Sequence, residues 1–97
     1  MKIYISGAIT GIDDYMERFA KAEKELTEQG YSVVNPAKVN AQLPEDTTYE
    51  EYMNMCFCML NMCEAVYMLD GWEKSCGANR EYGYALGNDM IIIKEIV

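Results

Sequence analysis

The chain has 97 residues, a formal net charge of −8 and 51% hydrophobic residues. That length supports one domain, 1–97, with an ordinary core. The acidic balance argues against a nucleic-acid polymer or a membrane as partner, and no apolar stretch approaches the ~20 residues of a membrane span. A small phosphorylated ligand remains compatible, because backbone amides can supply an anion site locally.

Lys2 to Ser6 reads as a strand, with Ile3, Tyr4 and Ile5 nearly continuous and apolar. Gly7-Ala8-Ile9-Thr10-Gly11 follows as a small-residue turn. Its spacing is not that of the dinucleotide fingerprint, so it reads as a ligand cradle or a plain tight turn. Ile12, Tyr15, Met16, Phe19, Ala22 and Leu26 recur at threes and fours, which predicts an amphipathic helix closed by Gly30. Tyr31 to Val34 is a short second strand, ended by Asn35-Pro36. Ala37 to Leu43 reads as a weak helical turn or loop, and Pro44-Glu45-Asp46 as a second break.

Thr48-Tyr49-Glu50-Glu51 matches a capping box, with Thr48 as N-cap and Glu51 at N3. The helix it starts runs to about Met62. Ala65 to Leu69 is the third strand, Gly77 to Leu86 the third helix with Gly87 as its stop, and Met90 to Ile93 the fourth strand. Short apolar strands alternating with helices predict a parallel sheet covered on both faces. The expected fold is a small doubly wound α/β domain, flavodoxin-like or Rossmann-like, with strand order 2-1-3-4. Its ligand crevice lies at the carboxyl ends of the strands, where strand order reverses between strands one and three.

The helix from Tyr49 to Cys63 carries Met53, Met55, Cys56, Phe57, Cys58, Met59, Leu60 and Met62, which leaves little polar face. A helix apolar all round needs cover all round. Either it is a core helix with a few exposed methionines, or its outer face joins subunits of a homodimer or higher oligomer. Cys56, Cys58 and Cys63 are same-helix neighbours and poor disulfide partners. With Cys76, and with no secretory leader pattern at Met1-Lys2-Ile3-Tyr4, they read as reduced thiols of a cytoplasmic protein. Histidine is absent, so acid–base work falls to carboxylates, Tyr, Lys or Cys. No metal and no cofactor is expected.

The stretch from Ser75 to Ala85 follows an apolar run that ends in Asp70. Helix-start amides here can hold an anion, with Ser75 adding its hydroxyl to them or simply capping the helix. Glu81 lies just beyond, and Asp70 faces the same crevice from the strand end. Such a carboxylate pair suits cleavage or transfer at a sugar carbon, through a covalent glycosyl-enzyme intermediate. The same pattern also fits an Asp70 that caps the loop and a Glu81 on a solvated face. Tyr4 reaches the same place or packs in the core. Trp72 stacks on a base or covers the core. Arg80 reads as a surface partner for Glu residues.

Three pieces in order resemble the nucleoside 2-deoxyribosyltransferase superfamily, and within it a short branch of uncharacterised domains (domain of unknown function 4406 type). They are Lys2-Ile3-Tyr4-Ile5-Ser6-Gly7-Ala8-Ile9-Thr10-Gly11, Gly30-Tyr31-Ser32-Val33-Val34-Asn35-Pro36, and Tyr67-Met68-Leu69-Asp70-Gly71-Trp72 with Ser75-x-Gly77-x-x-x-Glu81-x-Gly83. The resemblance implies transfer of 2-deoxyribose between bases, or hydrolysis of the N-glycosidic bond of deoxynucleoside monophosphates. It implies Glu81 as nucleophile, Ser75 and Gly77 at the 5′ end of the nucleotide, Gly7 and Ile9 in contact with the nucleotide, and Tyr4 holding Glu81 or the sugar. Asp70 would orient the ribose or act as acid. It also implies dimers or larger assemblies. The alternative on the same residues is a non-catalytic module that binds a nucleotide or a nucleotide-derived signal.

Overall fold

The computed structural model describes residues 1–97 and runs β1 (Lys2–Ser6), α1 (Tyr15–Glu28), β2 (Ser32–Val34), α2 (Pro36–Asn40), α3 (Tyr49–Leu60), β3 (Ala65–Met68), α4 (Cys76–Gly87) and β4 (Ile91–Lys94). All strand pairs are parallel and the order is β2-β1-β3-β4, as the alternation of strands and helices predicts. The Cα radius of gyration is 12.4 Å, close to the about 13 Å of a compact 100-residue domain. No helix is long and apolar enough to cross a membrane.

Period-two alternation in β1 divides the core. Ile3 and Ile5 face Phe19, Ala22 and Leu26 of α1 and Ala37 of α2. Tyr4 faces the other way, toward Cys56, Met59 and Leu60 of α3 and Ala78 and Ala85 of α4. The sheet is therefore covered by α1 and α2 on one side and α3 and α4 on the other. Central strands buried on both faces explain why their sequences read as apolar runs.

The helix ends follow their capping chemistry. Thr48 Oγ1 accepts from Glu51 N–H at 3.1 Å while Glu51 Oε1 accepts from Thr48 N–H at 2.8 Å, a complete capping box. Asn35 Oδ1 accepts from Ala37 and Lys38 N–H at 3.1 and 3.3 Å, and Pro36 occupies the first turn. That cap turns the weak helical stretch of the sequence into a short real helix. Gly30 has φ +95°, the left-handed conformation that ends α1.

Gly87 is a correction. It lies inside α4, whose cap is Asn88, and the left-handed residue that follows is Asp89 at φ 54°. Asn88 Nδ2 donates to Tyr84 O at 2.8 Å, so side-chain chemistry ends the helix where a glycine was expected to. A one-turn 3₁₀ segment, Trp72–Lys74, also lies in the β3–α4 connection, where the sequence predicts only a loop.

Candidate active site

The switch point lies where expected. The chain leaves β1 at Ser6, opposite Met68 of β3, and Leu69 N–H donates to Ser6 O at 2.8 Å. The turn after β1 then presses against the end of β3. A Cβ built on Gly7 would stand 2.8 Å from Leu69 Cδ1 and 2.9 Å from its Cβ, so only glycine fits. Beside this junction opens a crevice of ≈ 1370 Å³, wider than the ~300–1,000 Å³ of ordinary small-ligand pockets. Its lining includes Tyr4, Gly7, Ile9, Asp70, Ser75, Gly77 and Glu81.

Glu81 lies one and a half turns into α4, on its inner face, and is 5% exposed. Tyr4 Oη donates to Glu81 Oε2 at 2.5 Å and Ser6 Oγ donates to Oε1 at 2.6 Å. Both donors come from one face of β1, two residues apart, so the strand's pleat sets their spacing. Burial pushes the Glu81 carboxyl above its ordinary value, against the opposing pull of Ser6, Tyr4, Cys56 and the Arg80 guanidinium. Burial, and then the Glu81 charge, hold the Tyr4 phenol well above its usual value, so it stays a donor. The result is a carboxylate with each oxygen hydrogen-bonded, fixed in direction and poorly hydrated. Burial and a fixed direction are properties that nucleophilic chemistry by a carboxylate uses.

The start of α4 forms the neighbouring wall. Ser75 is its N-cap, and its Oγ accepts from Ala78 N–H at 3.2 Å. Gly77 faces α3, where an added Cβ would meet Met53 Sδ at 3.3 Å and Tyr49 Oη at 3.6 Å. Helix-start amides and the Lys74 and Arg18 side chains line the crevice here. Glu45, Asp70, Glu81 and Glu95 line the same crevice, so it is the helix-start amides rather than net charge that suit an anionic group.

Asp70 is exposed at the rim. Its backbone N–H donates to Glu95 Oε1 at 2.9 Å and its carbonyl accepts from Arg18 at 2.6 Å, while its carboxylate has no protein hydrogen-bond or ion-pair partner. Trp72 is placed elsewhere. The 3₁₀ turn packs it half-buried against the core on the α3–α4 side of the sheet, stacked on Tyr82 at 4.6 Å with Lys94 over both rings, and it does not line the crevice. Arg80 pairs with Glu50 at 3.0 and 3.2 Å, tying α4 to α3 in the surface role expected of it.

A family model matches residues 1–94. The chain belongs to that family, Domain of unknown function (DUF4406). No curated protein sequence matches it. A solved structure of a 2-deoxyribosyltransferase from the psychrotolerant bacterium Bacillus psychrosaccharolyticus is similar over 100% of this chain and 77% of its own, with a TM-score of 0.74 and 18% identity. The DUF4406 chain thus shares the 2-deoxyribosyltransferase fold, as its motifs suggest.

Three residues packed around the Glu81–Tyr4 pair, Ser6, Cys56 and Asn40, are absent from the sequence-based site of this DUF4406 chain. Ser6 was readable, since period two places it on the strand face that Tyr4 occupies. Cys56 of α3 and Asn40 of α2 were not, because no motif marks them and only the packing of two helices brings them to Tyr4.

Proposed function

We propose that this protein cleaves or transfers at the N-glycosidic bond of deoxynucleosides or their 5′-monophosphates, with Glu81 as nucleophile. The observation that carries the reading is the Glu81 carboxylate, buried at the crevice wall with one hydrogen bond to each oxygen.

In this reading a Glu81 oxygen attacks the anomeric carbon. The Oε–C1′ bond forms as the C1′–N bond breaks, and the electron pair leaves with the base. Asp70, unpaired at the rim, orients the sugar hydroxyls or supplies the leaving base with its proton. Water, or the nitrogen of a second base, then attacks C1′ and frees Glu81. Tyr4 and Ser6 hold the carboxylate throughout. Ser75, Gly77 and the first amides of α4 take the 5′ end, and Gly7 and Ile9 line the sugar. Metal and cofactor have no part in this scheme.

The reading extends to a homo-oligomer through α3. Met55 is 40% and Met62 59% exposed, with Cys58 exposed between them. A cytoplasmic setting fits the four free thiols.

The decisive experiment incubates the protein with each deoxynucleoside and deoxynucleoside 5′-monophosphate and measures free base. Base release that disappears in Glu81→Ala is the expected result. No release from wild type, together with a nucleotide-dependent rise in melting temperature, would replace the enzyme with a nucleotide-binding module. Light scattering at micromolar concentration tests the assembly, and a monomer there sinks it.

A further inference from the structure

Asp70 sits at a corner that the local sequence leaves undecided. Leu69 is buried and its N–H is tied to Ser6 O at 2.8 Å, while Trp72 N–H donates back to Leu69 O at 3.1 Å. Leu69 to Trp72 is therefore a β-turn with Asp70 and Gly71 at its centre. Gly71 has φ 85° and ψ 5° and Asp70 is not left-handed, which makes the turn type II. Types I and II differ by a half-rotation of the peptide between the two central residues. Glycine takes either sign of φ about equally well, so Gly71 permits both.

Two side chains from distant elements meet at this one residue. Arg18 of α1 donates from Nη2 to Asp70 O at 2.6 Å, and Glu95, just past β4, accepts from Asp70 N–H at 2.9 Å. Arg18 makes no ion pair in a chain with 16 acidic residues, and spends its guanidinium on this carbonyl instead. Glu95 is itself anchored, since its N–H donates to Met68 O at 2.8 Å in line with the β3–β4 ladder. We propose that Arg18 and Glu95 are positioning residues for Asp70. The proposal rests on the reading in which Asp70 orients the sugar or protonates the leaving base.

The hold is geometric. The Glu95 bond fixes the peptide plane before the Asp70 Cα, and the Arg18 bond fixes the plane after it. With both planes fixed, tetrahedral geometry sets the Cα–Cβ bond that carries the carboxylate. The carboxylate has no protein partner of its own to hold it. Without Arg18 the Asp70–Gly71 peptide can turn over to type I, and without Glu95 the Cα can rock. An acid at the crevice rim then spends part of its time misdirected, which lowers turnover more than affinity.

The test is a double-mutant cycle on base release. Arg18→Ala and Glu95→Ala should each lower kcat about three- to tenfold with little change in KM. Arg18→Lys keeps a donor and Glu95→Gln keeps an acceptor, so each should recover most of that loss. In an Asp70→Asn background neither alanine substitution should lower the residual rate by more than about twofold, because the group they position is gone. Losses that multiply in that background would overturn the proposal.

NMR reads the same hold without any reaction. Glu95→Ala should speed exchange of the Asp70 amide proton and Glu95→Gln should restore it, while Arg18→Ala should move the Asp70 carbonyl carbon resonance. Unmoved signals in both alanine variants would also overturn the proposal. The two readings fail separately. Should wild type release no base, the same cycle is run on the affinity for a deoxynucleoside 5′-monophosphate, by calorimetry. Losses coupled through Asp70 there keep the positioning role and remove the reaction, whereas independent or absent losses remove the positioning role.

Discussion

The crevice has two unlike walls. One is built by the end of β1 and the inner face of α4, and it is polar, hydrogen-bonded and closely packed. Tyr4, Ser6 and Glu81 hold one another there, and Gly7 locks the turn against Leu69. The other is built by α2 and α3, and it presents Asn40, Cys56, Met53, Tyr49 and Tyr52. Its side chains are longer and more adaptable, with methionine packing against the glycine of the opposite wall. The first wall is shaped to aim a single group, whereas the second is shaped to yield to what enters. The proposed reaction would use both, since the reacting carbon is common to all such substrates and the base is what varies.

Breaking the rigid wall should have the largest effects. Glu81→Ala removes the proposed nucleophile, and base release should fall by about 10³-fold or more. The fold should persist, which circular dichroism can check. Residual release within tenfold of wild type would assign the chemistry to another group. Tyr4→Phe keeps the buried ring and deletes only the hydroxyl. A hydrogen bond to a charged group contributes about 1.5–3 kcal/mol, so kcat should drop by about ten- to a hundredfold. The substrate's KM should move little, because Tyr4 acts through Glu81. A change confined to KM would place Tyr4 on the substrate instead.

The glycines sharpen the contrast between the walls. Gly7→Ala drives a Cβ into Leu69 at 2.8–2.9 Å, where strand ends leave no slack. A stability loss of about 1–3 kcal/mol is expected by denaturant melt. Gly77→Ala meets nothing closer than Met53 Sδ at 3.3 Å, in a flexible side chain. That variant should fold with under about 1 kcal/mol of loss, yet bind a 5′-monophosphate more weakly because the new methyl stands in the cradle. Equal destabilisation by the two substitutions would mean that the second wall is as stiff as the first.

The rigid wall was also the readable one, for the same physical reason. Its contacts follow from local rules: period two puts Tyr4 and Ser6 on one face, a capped helix start puts Ser75 and Gly77 at its mouth, and parallel topology brings β1 to α4. Tyr4 and Glu81 are 77 residues apart, yet strand order alone unites them. Asn40 and Cys56, only 16 apart, meet through the crossing of two helices, which no periodicity encodes. Trp72 was open in the sequence between stacking on a base and covering the core, and one 3₁₀ turn packs it against the core beside Tyr82. Gly87 misled because Asn88 ends the helix with its own side chain.

The smallest expected effect is a pH dependence that separates aim from stability. The Glu81 carboxyl is raised from its ordinary value of 4.5, chiefly by burial. The folded state therefore binds this proton more tightly than the unfolded chain does. That contribution is fully present below 4.5 and is lost as pH rises through the raised value, above which the buried charge weighs against folding. Glu81→Gln cannot titrate, and every other group is shared with wild type. The melting temperature of Glu81→Gln minus that of wild type should therefore increase from acidic pH toward neutrality and then level off. Base release by wild type should rise over the same interval, because only the ionised carboxylate attacks. A difference that stays flat, or that falls with pH, would mean that Tyr4 and Ser6 outweigh burial and that the charged carboxylate is held in the fold without strain.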